Sequence, residues 1–118
     1  MNRLFVYGTL MRGQVRADLL GDAPRVAATT HGRLYHLPPG YPAIVDVPDG
    51  VVHGELVTID PASLPALDDY EGDEYRRVIR RVSTADGNVE AWCYVFPPED
   101  EAAWVAAGAV LIPSGRWA

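Results

Sequence analysis

Arg76-Arg77-Val78-Ile79-Arg80-Arg81-Val82-Ser83-Thr84, then Ala85-Asp86-Gly87-Asn88, then Val89-Glu90-Ala91-Trp92-Cys93-Tyr94-Val95-Phe96 is the stretch on which the fold turns. Two runs rich in β-branched and aromatic residues flank a short polar segment, and Asp-Gly is a preferred two-residue turn, so the stretch reads as a β-hairpin. With Asp86-Gly87 as the turn, Ile79 faces Tyr94, Arg81 faces Trp92 and Val78 faces Val95. Tyr75 then falls on the same side of the ribbon as Arg77, Ile79 and Tyr94, because side chains alternate along a strand.

Similar short segments extend outward from the hairpin. Val51–Ile59 is β-branched and reads as a strand ended by Asp60-Pro61. Arg25–Leu37 mixes small, β-branched and aromatic residues, with Gly32 as a bulge or bend. Arg3–Tyr7 is a first strand stopped by Gly8. Gln14–Leu20 reads as a short helix ended by Gly21, and Glu99–Ala107 as another, acidic at its start as the helix dipole prefers. About six strands and two or three short helices, without βαβ alternation, predict an α+β protein built as a small mixed or antiparallel barrel rather than a doubly wound sheet.

The chain has 118 residues, enough for one domain over residues 1–118. It is 48% apolar and 22% charged, which excludes disordered and fibrous classes. Acidic residues outnumber basic ones by 16 to 10, for a net charge of −6. Such a surface repels phosphate backbones and anionic lipid heads, so neither nucleic acid nor membrane is the expected partner. All ten basic residues are Arg. A Schiff-base lysine, a phosphate-loop lysine and a Ser–Lys dyad are therefore excluded. The one cysteine, Cys93, cannot form an internal disulfide or a multi-cysteine zinc site. Mid-strand between Trp92 and Tyr94, it reads as a buried small hydrophobe. The apolar stretch at the N-terminus is too short for a signal peptide, and no apolar run approaches the roughly 20 residues needed to span a bilayer. A soluble, cytoplasmic protein is expected.

Two segments carry candidate chemistry. Ser63-Leu64-Pro65-Ala66-Leu67-Asp68-Asp69-Tyr70-Glu71 reads as a helix with Ser63 as N-cap and Pro65 in its first turn. At about 100° per residue, Leu64 lies at 0°, Leu67 near 300° and Glu71 near 340°. Glu71 thus lies between the two leucines on the core-facing stripe, while Asp69 points away and Asp68 sits at the stripe's edge. Burial of a carboxylate raises its pKa, which suits a general base working near neutral pH. The bland alternative is that Glu71 caps a helix end or pairs with Arg76 or Arg77. The acids of Asp68–Glu74 lack the alternating order of a calcium loop, and His53 with Glu55 has no third ligand, so no metal site is expected. The second segment is Val6-Tyr7-Gly8-Thr9-Leu10, where a strand meeting Gly can turn its backbone N–H groups into one anion-binding concavity. A plain turn is the alternative there.

In order along the chain, Val6-Tyr7-Gly8-Thr9-Leu10, Gly40-Tyr41-Pro42-Ala43-Ile44-Val45, Gly54-Glu55-Leu56 and Leu67-Asp68-Asp69-Tyr70-Glu71-Gly72 resemble the gamma-glutamylcyclotransferase-like family. The resemblance is to its gamma-glutamylamine cyclotransferase branch in particular, and it covers roughly Arg3 to Phe96. It implies a small mixed β-barrel with short flanking helices, a small-molecule γ-glutamyl substrate, and its cyclisation to 5-oxoproline with release of an amine or amino acid. It also implies that no metal or organic cofactor is needed. The family's catalytic Glu falls on Glu71, its substrate loop on Tyr7, Gly8, Thr9 and Leu10, and its later tyrosine on Tyr75. A non-catalytic binding or regulatory module using the same pocket is the other class of reading.

The loop offers a direct test. If amides of Gly8–Leu10 hold an anion, Thr9→Ala keeps every N–H and should cost little. Thr9→Pro removes a donor and fixes φ near −65°, and losing an oxyanion donor costs on the order of 10²–10³ in rate. With folding checked by circular dichroism, Pro should be far worse than Ala. Equal damage would move the contact to the threonine hydroxyl.

Overall fold

The structure, a computed structural model, describes residues 2–8, 23–38, 40–72 and 75–117. Among these lie strands β1 (Arg3–Val6), β2 (Arg25–His31), β3 (Arg33–His36), β4 (Pro42–Val45) and β5 (Val51–Thr58). After them come helix α1 (Leu64–Glu71), strands β6 (Arg76–Thr84) and β7 (Gly87–Val95), helix α2 (Glu101–Ala106) and strand β8 (Val110–Leu111). Five strands close a barrel in the order β1-β5-β2-β6-β7, and β4-β3-β8 make a second, smaller sheet. The barrel is mixed because β1 pairs antiparallel with β5 and parallel with β7, at Leu4 and Trp92. The α+β barrel is the expected class.

The division of strands between two sheets has a local cause at Gly32. Its φ of +139° is one that residues with a Cβ rarely adopt. The chain breaks there, so the run Arg25–Leu37 becomes β2 in the barrel and β3 in the small sheet. The expected helix at Gln14–Leu20 lies outside the described residues. The expected helix at Glu99–Ala107 forms as a 3-10 turn over Pro98–Asp100 followed by α2. Among the described residues no helix is long and apolar enough to cross a membrane.

The hairpin forms with a different register from the one expected. Thr84 pairs with Gly87, Arg81 with Glu90, Ile79 with Trp92, Val78 with Cys93 and Arg77 with Tyr94. The turn is centred on Ala85-Asp86, one residue earlier than Asp86-Gly87. No described residue other than glycine has positive φ, so Asp86 does not take the conformation that a mirror-image Asp86-Gly87 turn needs. Gly87, at φ +116°, instead takes the positive-φ position after them. Thr84 Oγ1 accepts from the Asp86 N–H at 3.2 Å and donates to the Gly87 carbonyl at 2.9 Å. Each cross-strand partner moves by two residues, so every side chain keeps its expected face.

Three apolar clusters hold the elements together. Phe5 of β1 and Tyr7 just after it join Ala28, Leu34, Ile44, Val52, Val82, Cys93 and Val95 in one. Leu4 and Val6, of opposite parity, join Val57, Ile59, Tyr94 and the α1 leucines Leu64 and Leu67 in another. A third, of Tyr35, Leu37, Ala43, Val45 and Phe96, receives Trp104 of α2. Cys93 is fully buried within the first, and burial pushes its thiol up to about 12, so it behaves as the expected inert hydrophobe. Ser63 occupies the N-cap position of α1 but does not cap it with its side chain. Its hydroxyl donates to the Asp60 carbonyl at 2.6 Å, because Asp60 starts a 3-10 turn over Pro61–Ser63 just before the helix.

The two sheets meet where β1 ends. Phe96 N–H donates to the Ile44 carbonyl at 2.7 Å, and Asp46 N–H to the Phe96 carbonyl at 3.1 Å. Gly8 passes so close to β4 that an added Cβ would lie 2.2 Å from Pro42 Cγ. Gly8→Ala should therefore destabilise the fold by about 1–3 kcal/mol, the range for overpacking a full core. In a Pro42→Ala background the cost should be clearly smaller, with a coupling of about 1 kcal/mol or more across the four urea midpoints. Equal costs in both backgrounds would show that this contact does not restrict position 8.

Candidate active site

A cavity of about 300 Å³ opens at the junction of the two sheets, at the lower end of the range for small-molecule pockets. Four of the residues singled out from the sequence line it together: Tyr7, Gly8, Glu71 and Tyr75. Thr9 and Leu10 lie outside the described residues. The end of β1 also contributes Phe5 and Val6, and β7 and the residue after it contribute Tyr94 and Phe96. Sequence reasoning assigned no site role to Leu37, Tyr41, Pro42, Tyr70 or Trp104, which complete the wall. Tyr70 adjoins Glu71 in sequence, but no local pattern marks Trp104 or Leu37, which reach the cavity through the docking of α2 and the small sheet.

Glu71 is the last residue of α1. Leu64 and Leu67 anchor the same helical stripe in the cluster beneath β1, which carries the carboxylate to the cavity. It is the one carboxylate among the described residues lining that space. The carbonyl end of a helix is also the wrong end for an anion. Burial pushes the Glu71 pKa up from 4.5 to about 7. The group is thus divided between acid and base forms at neutral pH.

One of the two alternative partners for Glu71, Arg77, is occupied elsewhere. Arg77 donates through Nε and Nη2 to the two oxygens of Asp68, at 2.9 and 3.2 Å. Tyr94 donates its hydroxyl to Asp68 Oδ1 at 2.7 Å, and the Arg77 guanidinium lies 4.3 Å from the centre of the Trp92 ring. Burial raises the Asp68 pKa, but the hydrogen bonds from Arg77 and Tyr94 outweigh it and leave the group below its ordinary value. Two carboxylates three residues apart on one helix are thereby driven in opposite directions. This divergence is a common mark of groups assigned separate tasks. Asp68 is a structural anchor and Glu71 is the titratable group.

Two tyrosines frame the cavity by bonding main chain rather than each other. Tyr7 donates its hydroxyl to the Tyr94 carbonyl at 2.7 Å and accepts from the Ile44 N–H at 3.4 Å. Burial holds its phenol pKa well above the ordinary value, so it stays neutral. Tyr75 donates its hydroxyl to the Pro42 carbonyl, and its ring tilts against Phe96 at 4.7 Å. Phe96 in turn stacks on Trp104 at 5.3 Å and 28°. The result is a mainly aromatic space with Glu71 as the one carboxylate among the described residues lining it and the end of a strand at its edge. It is suited to moving a proton on a small ligand shielded from water.

Comparison with known proteins places this architecture. The family model described as "Gamma-glutamyl cyclotransferase, AIG2-like" matches residues 4–118. The chain is 38% identical over 124 aligned positions to the gamma-glutamylcyclotransferase family protein YtfP of Escherichia coli K12, covering 98% of this chain and 95% of that one. It is 31% identical to AIG2-like protein D of Arabidopsis thaliana, over 86% of this chain and 71% of the relative. The crystal structure of an AIG2-like protein from Mus musculus (GGACT) superposes with a TM-score of 0.81 at 25% identity, over 100% of this chain and 88% of the mouse protein. With fold and sequence in agreement over nearly its whole length, the chain belongs to the AIG2-like gamma-glutamyl cyclotransferase family.

Proposed function

We propose that the cavity cyclises a γ-glutamyl amine or γ-glutamyl amino acid, with Glu71 as general acid and base. The observation that carries this reading is a half-buried carboxylate, its pKa raised to about 7, in a mainly aromatic cavity. The substrate's α-amine attacks in its neutral form, and ionised Glu71 accepts the proton that this nitrogen sheds as it bonds to the γ-carbonyl carbon of the same molecule. The new C–N bond closes the five-membered ring, the old amide C–N bond breaks, and Glu71 returns the proton to the departing nitrogen. The products are 5-oxoproline and the free amine. No water enters the balance, which fits a shielded site. Because nucleophile and electrophile belong to one molecule, the entropy cost of bringing them together is already small.

In this reading the substrate glutamyl group sits against Tyr7, Gly8 and Glu71, with backbone N–H groups of Tyr7-Gly8-Thr9-Leu10 facing its α-carboxylate or the developing oxyanion. Tyr75, fixed on the Pro42 carbonyl, closes the same side. The family's name and that of YtfP point to the same reaction class. Incubation of the purified protein with a panel of γ-glutamyl amines, assayed for 5-oxoproline, tests the proposal. Binding without release of 5-oxoproline would mark a binding module instead.

Glu71→Gln separates the catalytic role from the structural one. The amide keeps shape and hydrogen bonding but accepts no proton, so turnover should fall by at least two orders of magnitude. A variant keeping a tenth of the activity would overturn the general-base role. Wild-type kcat/KM should rise with pH through about 7, where Glu71 ionises.

Stability should respond with the opposite sign. Between 4.5 and about 7 the folded protein holds a proton on Glu71 that the unfolded chain has released. Wild-type stability from this group therefore declines as pH rises through that window and is level above it. Glu71→Gln lacks the decline, so its unfolding free energy relative to wild type, read from urea midpoints, should climb from pH 4.5 to pH 8 by on the order of a few kcal/mol. A gap that stays constant with pH would show that Glu71 titrates normally.

A further inference from the structure

Asp68 and Glu71 stand three residues apart on α1, so they are neighbours on its surface, with Cβ atoms about 5–6 Å apart. Whatever bonds Asp68 is therefore brought close to Glu71. Arg77 of β6 grips both Asp68 oxygens, at 2.9 and 3.2 Å, and its guanidinium is backed by the Trp92 ring at 4.3 Å. Tyr94 of β7 donates its hydroxyl to Asp68 Oδ1 at 2.7 Å and also lines the cavity that holds Glu71. Its phenol feels the charges of Asp68, Glu71 and Arg77 together, so the three ionic groups lie around one side chain.

The other groups near Glu71 leave its charge unmatched. Tyr7, just after β1, and Cys93 and Tyr94 of β7 feel the Glu71 charge, and burial keeps all three protonated. Tyr41, Tyr70 and Tyr75 also line the cavity, and no described residue lining it is cationic. Arg76 and Asp69, next to Arg77 and Asp68 in sequence, are exposed. Arg80 and Asp46, whose charges also act on Cys93, pair with each other at 2.5 Å. Among the described residues, Arg77 is thus the one cation bonded to α1, and Asp68 is the charge that meets it.

We propose that Asp68 is a positioning residue for the cyclisation: it holds the Arg77 guanidinium on its own two oxygens and cancels that charge, so that Glu71 exchanges its proton beside a neutral pair rather than beside a free cation. The proposal rests on the cyclotransferase reading, in which Glu71 takes a proton and returns it within one cycle. An unbalanced guanidinium would favour the ionised carboxylate and make it a weaker base toward the α-amine. An unbalanced Asp68 would do the reverse, keeping the proton on Glu71 and leaving less base at neutral pH. With the pair matched, burial is what raises the Glu71 pKa.

The test is a charge cycle in the full chain: wild type, Asp68→Asn, Arg77→Gln and the double variant, with folding checked by circular dichroism. Each replacement removes one charge and keeps an amide able to hydrogen-bond. The Glu71 titration is followed by NMR of its side-chain carboxyl carbon, assigned by its loss in Glu71→Gln, and needs no substrate. Asp68→Asn should lower the midpoint and Arg77→Gln should raise it. Each change should be about one pH unit or somewhat less, because an opposite charge at about 4–6 Å is worth about 1–3 and this pair is partly exposed. The double variant should return to within about 0.3 of wild type, since its pair is again neutral. The acid limb of kcat/KM for a γ-glutamyl amine, read as 5-oxoproline, should move in the same directions. If Asp68 only fastens α1 to the hairpin, the two single variants shift the midpoint the same way or not at all, and the proposal is wrong. A double variant that fails to restore the wild-type midpoint also overturns it. Should Asp68→Asn not fold, Arg77→Gln alone decides, because the midpoint must rise. Absence of 5-oxoproline from the wild-type protein, with the titration pattern as expected, instead defeats the cyclotransferase reading, and the positioning role in cyclisation with it.

Discussion

Strand β1 has to satisfy two apolar clusters at once, and the position of everything around the cavity follows from that. Leu4 and Val6 point to the side where α1 docks, and Phe5 and Tyr7 to the cluster shared by the barrel strands. The strand has only four residues, so both clusters are in reach of its last turn of chain. α1 lies against Leu4 and Val6, and its final residue is therefore delivered to the place where β1 stops. Tyr7 reaches across the same point to the main chain of β7 and β4. A change in β1 that flipped its parity would exchange the two clusters and remove both the helix seat and the tyrosine bridge.

The electrostatics of the site are arranged by what surrounds each acid rather than by the acids themselves. Asp68 and Glu71 lie on one helix, in a stretch dense in carboxylates. Asp68 meets Arg77 and the Tyr94 hydroxyl, and so stays ionised. Glu71 meets the cavity wall, and so holds its proton more tightly. The rings of Tyr75, Phe96 and Trp104 pack in series along the same cavity, and burial of Glu71 is what raises its pKa. Arg77 has a second function here: by pairing with Asp68 it is kept away from Glu71, whose pKa it would otherwise lower.

Much of this was legible locally. The inward aim of Glu71 followed from the spacing of Leu64, Leu67 and Glu71, because helical periodicity is set within seven or eight residues. The faces of the hairpin followed from strand alternation, and the break at Gly32 from the special backbone freedom of glycine. The hairpin register did not follow, since Asp86-Gly87 is compatible with two turn geometries. The choice was made by the backbone at Ala85 and Asp86, both of which keep negative φ, and by the bonds of the Thr84 hydroxyl. The small sheet was also missed as such. Its strands have two to four residues each, too few for a periodic signal, and they are strands only because they pair with one another.

The sequence by itself determined the class of fold, the candidate proton carrier and the strand–glycine turn beside it, because each depends on neighbours close along the chain. Only the tertiary structure decided which acid was neutralised and which was left exposed to the cavity. It also decided that a tryptophan thirty-three residues after Glu71 would line the same cavity. Those outcomes depend on Arg33, Tyr35 and Glu101 meeting through space, and on Asp68 finding Arg77 across the helix–hairpin boundary. No local pattern encodes such meetings, because the energy that selects them is released only when the two sheets and the helices close on one another.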